Sequence, residues 1–444
     1  MKLKITVLFI LASFIYVIFN IGDWKEKRTL FWDKSGYYAY LPATFIYDDI
    51  GRLGFLDSLN PKYRFTGEYN DYGIYEQPTG KRLNKYHVGI AVFQLPFFMI
   101  GHAYTQWEGT YPADGYSPYY MLLICLSTAF WSAMGFWVLG NFLRRYFNEL
   151  PTLTTLLLLA FGTNLYFYSS FDTGMSHPYS FFLMACVLQL TDEWYQTGKR
   201  SSVVLLGLLF GLLFLIRPVN ILCLLIPLLW QTDQEKIGTR WQFFWKQKTG
   251  LLLAIVAGLA VSLLQLSYWK FVSGHWLKYS YEGEGFDFLS PHIMDGLFSY
   301  RKGWFVYTPL ALIAFIGFFF IPKKYFKVVP ALLFTLLVAI YIVFSWSQWY
   351  YGGSYGCRAM IEFLSLLSFP LAALITIIIG QRWLVKMIAS VVLVLVLSLS
   401  FWQTYQFYLG VIPWDYVTKE YYWSVFFKTA YNEQDKALLM PEGR

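Results

Sequence analysis

Long apolar runs separated by short charged connectors dominate the chain. Runs of about 17–25 apolar residues recur from near Met1 to the C-terminal region, and a helix needs about that length to cross a hydrocarbon core of about 30 Å. The pattern predicts an all-α polytopic membrane protein of about eleven transmembrane helices. These fall at about 5–21, 119–140, 152–167, 177–192, 202–216, 219–231, 250–271, 304–320, 329–345, 359–379 and 387–408. The first run follows Met1-Lys2-Leu3-Lys4 and precedes Asn20-Ile21-Gly22-Asp23, with no small-residue cleavage site. It therefore reads as an uncleaved first span.

Two irregularities carry information. Segments 202–216 and 219–231 flank Arg217-Pro218, and each is short for a bilayer core at about 1.5 Å per residue. A hairpin of short helices would hold its Arg-Pro tip in a cavity below the outer surface, with proline stopping one helix and starting the next. The stretch 88–104, interrupted by Gln94 and Pro96, is ambiguous until the basic connectors are counted. These are Arg144-Arg145, Lys199-Arg200, Lys236 through Lys248, Lys323 through Lys327, and Arg382 with Lys386. If 88–104 does not cross, all five fall in the cytoplasm, as the positive-inside bias demands; if it crosses, all fall outside. The stretch is therefore placed flat in the outer interface, inside a first external loop 22–118 that includes Gly67-Glu68-Tyr69-Asn70-Asp71. Further external loops are 273–303 and 346–358. The membrane domain spans 1–408, and 409–444 forms a short external tail with one amphipathic helix expected around 419–430.

Composition agrees. Charged residues are 14%, aromatic residues 21% and mean hydropathy +0.43, against about 25% charged in a soluble domain. The net charge of +8 resides mostly in the connectors, so nucleic acid is excluded as a partner and membrane lipids are expected. Cys125, Cys186 and Cys223 lie in apolar runs and Cys357 in a loop, with neither disulfide nor zinc spacing.

The middles of the predicted helices carry almost no charge, unlike ion-coupled transporters. The ionisable residues gather on the external side instead. Asp33, in Phe31-Trp32-Asp33-Lys34-Ser35-Gly36-Tyr37, is the leading candidate for a general base; the bland alternative is a helix N-cap. Asp172, with His177 nearby, is a second external acid that could orient an acceptor or hold a divalent cation together with Asp33, or simply start a turn. Arg358, Arg217, Lys85 and Arg301 are candidate phosphate binders, because guanidinium grips phosphate bidentately and a submerged arginine needs a partner; snorkelling, or a solvated loop, is the plain alternative. Gly352-Gly353-Ser354-Tyr355-Gly356-Cys357-Arg358 adds glycines that allow close backbone approach. Tyr37, His87 and Tyr355 are expected to line the substrate cavity.

With these residues in view, the chain resembles the GT-C class of membrane glycosyltransferases, in the bacterial branch of aminoarabinose transferases and protein O-mannosyltransferases. The likeness rests on Asp33 and Tyr37 in the first external loop and Lys85 opening the interfacial helix. Asp172, Arg217-Pro218 and the Gly-Gly stretch ending in Arg358 complete it. Two positions depart: Tyr86-His87 stand where relatives carry prolines, and Lys34 stands where they often carry a second acid. The resemblance implies a multi-pass protein of the bacterial cytoplasmic (inner) membrane, N-terminus cytoplasmic and C-terminus external. It implies inverting transfer of a hexosyl or pentosyl group from a polyprenyl-phosphate donor, with Asp33 as base; the acceptor and any metal stay open. The competing class is a non-catalytic lipid or glycan translocator using the same cavity.

Overall fold

The computed structural model describes residues 1–25, 29–64, 73–231 and 237–441, and no side chains at 237–239. Of the predicted features, Gly67–Asp71 and Lys236 lie outside the described residues. Five helices are long and apolar enough to cross a membrane. They are α1 (Lys2–Ile21), α2 (Pro118–Leu143), the paired 3-10 and α segment Lys323–Phe344, and two 26-residue helices, Lys248–Ser273 and Trp383–Tyr408. Shorter apolar helices occupy the other predicted segments, including Glu149–Phe161, Arg200–Ile216 and Leu364–Ile379. Among the described residues the one sheet is a small antiparallel hairpin, Ile74–Glu76 with Arg82–Asn84.

Helix α2 sits at the centre, packed on Ser176–Thr197, on Gly89–Glu108 and on α1. The tightest pair is Arg200–Ile216 against Lys248–Ser273. Its seam is made of small residues: a Cβ added to Gly207 would stand 2.1 Å from the Ala254 carbonyl oxygen. Close backbone approach through small residues is how apolar helices gain packing where burial from water contributes little. The outer faces of the two 26-residue helices stay exposed and apolar, with Leu252, Ile255, Leu259, Ile388, Val391 and Leu395 among the side chains on them.

Several predicted elements differ: 152–167 is split into Glu149–Phe161 and Leu165–Ser170, and 219–231 into the 3-10 helix Pro218–Leu224 and Leu225–Leu229. Segment 304–320 is broken into Trp304–Tyr307, Pro309–Ile316 and the 3-10 turn Gly317–Phe320. Thr308, which precedes proline, sits at φ −140, ψ 64, because the proline ring crowds the helical conformation of the residue before it. The tail is no loose appendage: Val411, Ile412, Val417, Tyr421, Tyr422 and Val425 are buried. Its helix runs Lys419–Val425 and stops short of residue 430, where the Gln406 amide takes the Val425 and Lys428 carbonyls at 2.7 and 2.9 Å.

Candidate functional site

Asp33 opens a short helix, Asp33–Tyr38, whose preceding residue Trp32 is forced to φ 50. The N-cap residue, Trp32, makes no side-chain cap. The Asp33 carboxylate meets Arg358, whose Nη2 donates to Oδ2 at 2.8 Å. Tyr86 Oη donates to Oδ1 at 2.7 Å. Tyr86 is placed from two sides. Asn84 Oδ1 accepts its backbone N–H at 3.0 Å while Asn84 Nδ2 donates to the Gly36 carbonyl at 2.8 Å. Gly36 must be glycine, since a Cβ there would lie 2.0 Å from the Tyr86 ring. Tyr37, also buried, meets the same ring edge-on at 4.9 Å.

Burial works against a charged Asp33, and the Arg358 guanidinium and the Tyr86 hydroxyl more than offset it, so the carboxyl sits below its usual range. Arg358 lies within electrostatic reach of Asp33, Tyr168, Tyr37 and Asp172. Tyr37 in turn feels Asp33, Arg217 and Arg358. Asp33, Tyr37, Arg217 and Arg358 therefore share one neighbourhood, and Lys85 reaches Asp33 electrostatically as well.

The other predicted residues are placed with partners that sequence spacing does not reveal. Arg217, extended between two helices at φ −154, ψ 122, reaches Glu362 Oε1 at 3.4 Å, and His177 Nδ1 lies 3.0 Å from Glu362 Oε2. Glu362 is 1% exposed and follows Arg358 by one helical turn. Lys85 pairs with Glu284 at 2.5 Å beneath the Tyr281 ring. Asp172 pairs with Lys34 at 2.5 Å, on the side of the backbone where a cavity of about 90 Å³ is lined by Trp24, Thr29, Lys34, Cys125 and Asp172, among others.

His87 feels the Arg217 charge and is buried beside Phe214 and Trp269; burial pushes its pKa down to about 4, so the ring is neutral. Two predicted residues are not brought to this cluster. Tyr355 is fully buried between Phe167 and Phe407, each 5.2 Å away, and is core rather than cavity lining. Arg301 is bound to Asp415 through Nε and Nη2 at 2.8 and 2.9 Å. Sequence reasoning missed Tyr86, Tyr281, Glu284 and Glu362 as site residues. Tyr86 is visible in sequence beside Lys85, Glu284 in the polar loop 273–303, and Glu362 as an acid at the start of an apolar run.

A divalent cation does not fit the carboxylates proposed for it. Asp33 and Asp172 each hold a cation of their own. Among the described residues no three His, Cys, Asp or Glu side chains gather where a metal would be held.

The chain is thus a mostly helical protein, several of whose apolar helices are long enough to cross a membrane, with a half-buried cluster of paired charges. Comparison with protein-family models and with curated proteins finds no match.

Proposed function

We propose that the chain is a GT-C-like glycosyltransferase with eleven spans in a bacterial cytoplasmic membrane, working at the outer face on a polyprenyl-phosphate-linked sugar. The observation that carries the reading is the half-buried Asp33–Arg358 pair, joined across 325 residues of sequence and flanked by Arg217 and Lys85. A base and cations suited to phosphate in one neighbourhood match the two ends of a glycosyl transfer: a hydroxyl that must lose its proton, and a phosphate that must leave.

The chemistry is a single displacement with inversion. The acceptor hydroxyl oxygen bonds to the anomeric carbon, and its proton passes to a carboxylate oxygen of Asp33. The bond from that carbon to the phosphate oxygen breaks, and the electron pair leaves with the lipid phosphate. That group is already a stable anion, so no general acid is needed. Arg358, with Arg217 and Lys85, stabilises its charge. The cavity lined by Lys34 and Asp172 is the candidate place for a hydroxyl-bearing acceptor.

The test is incubation of the protein in membrane vesicles with radiolabelled polyprenyl-phosphate sugars and membrane extract. Label should appear in a new glycosidic product in the wild type and not in Asp33→Asn. Movement of labelled lipid across the vesicle, with no new glycosidic bond, would replace this reading with the translocator.

A further inference from the structure

Three cations of the cluster are each closed by an internal carboxylate: Arg358 by Asp33, Arg217 by Glu362 and Lys85 by Glu284. Among these residues, each positive charge faces a negative one. An anion that enters a low-dielectric site must find uncompensated positive charge, or take it from a pair already made.

The three pairs are not equally open. Glu362 is 1% exposed and holds both Arg217 and His177. Glu284 is fixed by a tight contact to Lys85, and the loop before it is tied down further, Ser280 Oγ donating to the Lys85 carbonyl at 2.7 Å. Arg358 differs. Its Nη2 serves Asp33 at 2.8 Å, and its Nη1 points to the thioether of Met175 at 3.8 Å. Sulfur is a weak acceptor, and a guanidinium carries five N–H donors. The fork is engaged along one edge only.

We propose that Arg358 is shared between Asp33 and the anionic group of the ligand, so the anion and the carboxylate compete for one guanidinium. The inference rests on the proposed glycosyl transfer and fixes its order. While Arg358 grips Asp33, the carboxylate is a poor proton acceptor. Once a phosphate draws the guanidinium away, Asp33 keeps the Tyr86 hydroxyl at 2.7 Å but loses its strongest neutralising partner. Burial then favours taking up a proton. The phosphate-bearing donor binds first, and its binding arms the base for the acceptor. An idle enzyme does not expose an active carboxylate to water.

The experiment is a double-mutant cycle on binding of farnesyl phosphate to the protein in lipid nanodiscs. Asp33→Asn should bind the probe about tenfold tighter than wild type or more, because it removes the competitor for a charge-assisted contact. Arg358→Gln should bind it more weakly. In the Arg358→Gln background the gain from Asp33→Asn should disappear. Persistence of the gain there would mean simple removal of negative charge and would overturn the sharing. Equal affinity of wild type and Asp33→Asn would overturn it too, while leaving phosphate recognition standing if Arg358→Gln still weakens binding. A wild type that does not bind the probe at all would overturn both the sharing and the glycosyl-transfer reading. If Arg358→Gln does not fold, Arg358→Lys closes the same cycle, since a single ammonium cannot serve both partners through a fork.

Discussion

Two Arg–Asp pairs, Arg301 with Asp415 and Arg358 with Asp33, differ in how completely each arginine is used. Arg301 meets Asp415 with two parallel N–H donors at 2.8 and 2.9 Å, and its guanidinium lies 3.6 Å from the Tyr350 ring centroid. Asp415 Oδ1 also accepts the Tyr416 backbone N–H. Arg358 meets Asp33 through one nitrogen. The first pair joins a loop to the tail, and its donors and acceptors are consumed by the protein. The second leaves capacity facing a cluster of tyrosines and cations. Bidentate saturation marks a staple, and a partly used fork marks a place where something else can bind.

The largest expected effect separates the two directly. Asp33→Asn should remove turnover by about 10²–10⁴-fold, the range of a lost general base. The fold should survive, since asparagine keeps the shape of the side chain and one of the two acceptor oxygens. Wild-type label transfer by this variant would sink the base assignment and with it the contrast. Asp415→Ala should act the other way, costing about 3–5 kcal/mol of stability because the Arg301 charge is left buried without its partner. Turnover per folded molecule should stay close to wild type. An apolar double replacement, Arg301→Met with Asp415→Leu, should recover most of the melting temperature. Failure to recover would show that the pair does more than staple.

How much of this was legible in sequence follows from the range of each interaction. The outer boundaries of the first and last helices, Lys2–Ile21 and Trp383–Tyr408, fall close to the apolar runs 5–21 and 387–408, because apolar periodicity is a local property. Asp33 and Arg358 were also visible singly, one as an acid among aromatics and the other at the end of a glycine run. Their pairing was not, nor were Glu284, Glu362 and Asp415 as partners, because tertiary contacts select which of many carboxylates meets which cation. Arg301 and Arg358 looked alike in sequence for that reason.

Tyr355 shows the same limit on a smaller scale. Its glycine-rich setting suggested a cavity, yet Gly356 at φ +58 turns the chain so that the ring enters the core. An alanine at 356 would hold a strained backbone, with its Cβ 2.7 Å from the Tyr307 Cβ. Gly356→Ala should cost about 1–3 kcal/mol and, two residues from Arg358, should also weaken farnesyl phosphate binding. Lower stability with unchanged binding would place this turn with the staple rather than with the site.

The smallest effect is a difference in pH dependence between the two regions. Lys302, next to Arg301, is buried and donates to the Ser354 and Trp414 carbonyls. Burial pushes its pKa from 10.5 down to about 7, and a neutral amine still has the two N–H groups those carbonyls need. Between about pH 7 and 10.5 the unfolded chain holds a proton on Lys302 that the folded chain lacks, so the contribution to stability rises with pH across that window. Asp33 is shifted below its usual 3.8; its contribution is present above that value and is lost only as pH falls through the folded-state value. The Asp33 pair should therefore be flat where Lys302 titrates. Melting temperatures of wild type and Lys302→Met, compared from pH 7 to 10, should diverge with a rising wild-type slope of a few degrees that the variant lacks. Equal slopes would mean that Lys302 keeps its proton when folded, and that the staple, like the Asp33 pair, is insensitive to pH in this range.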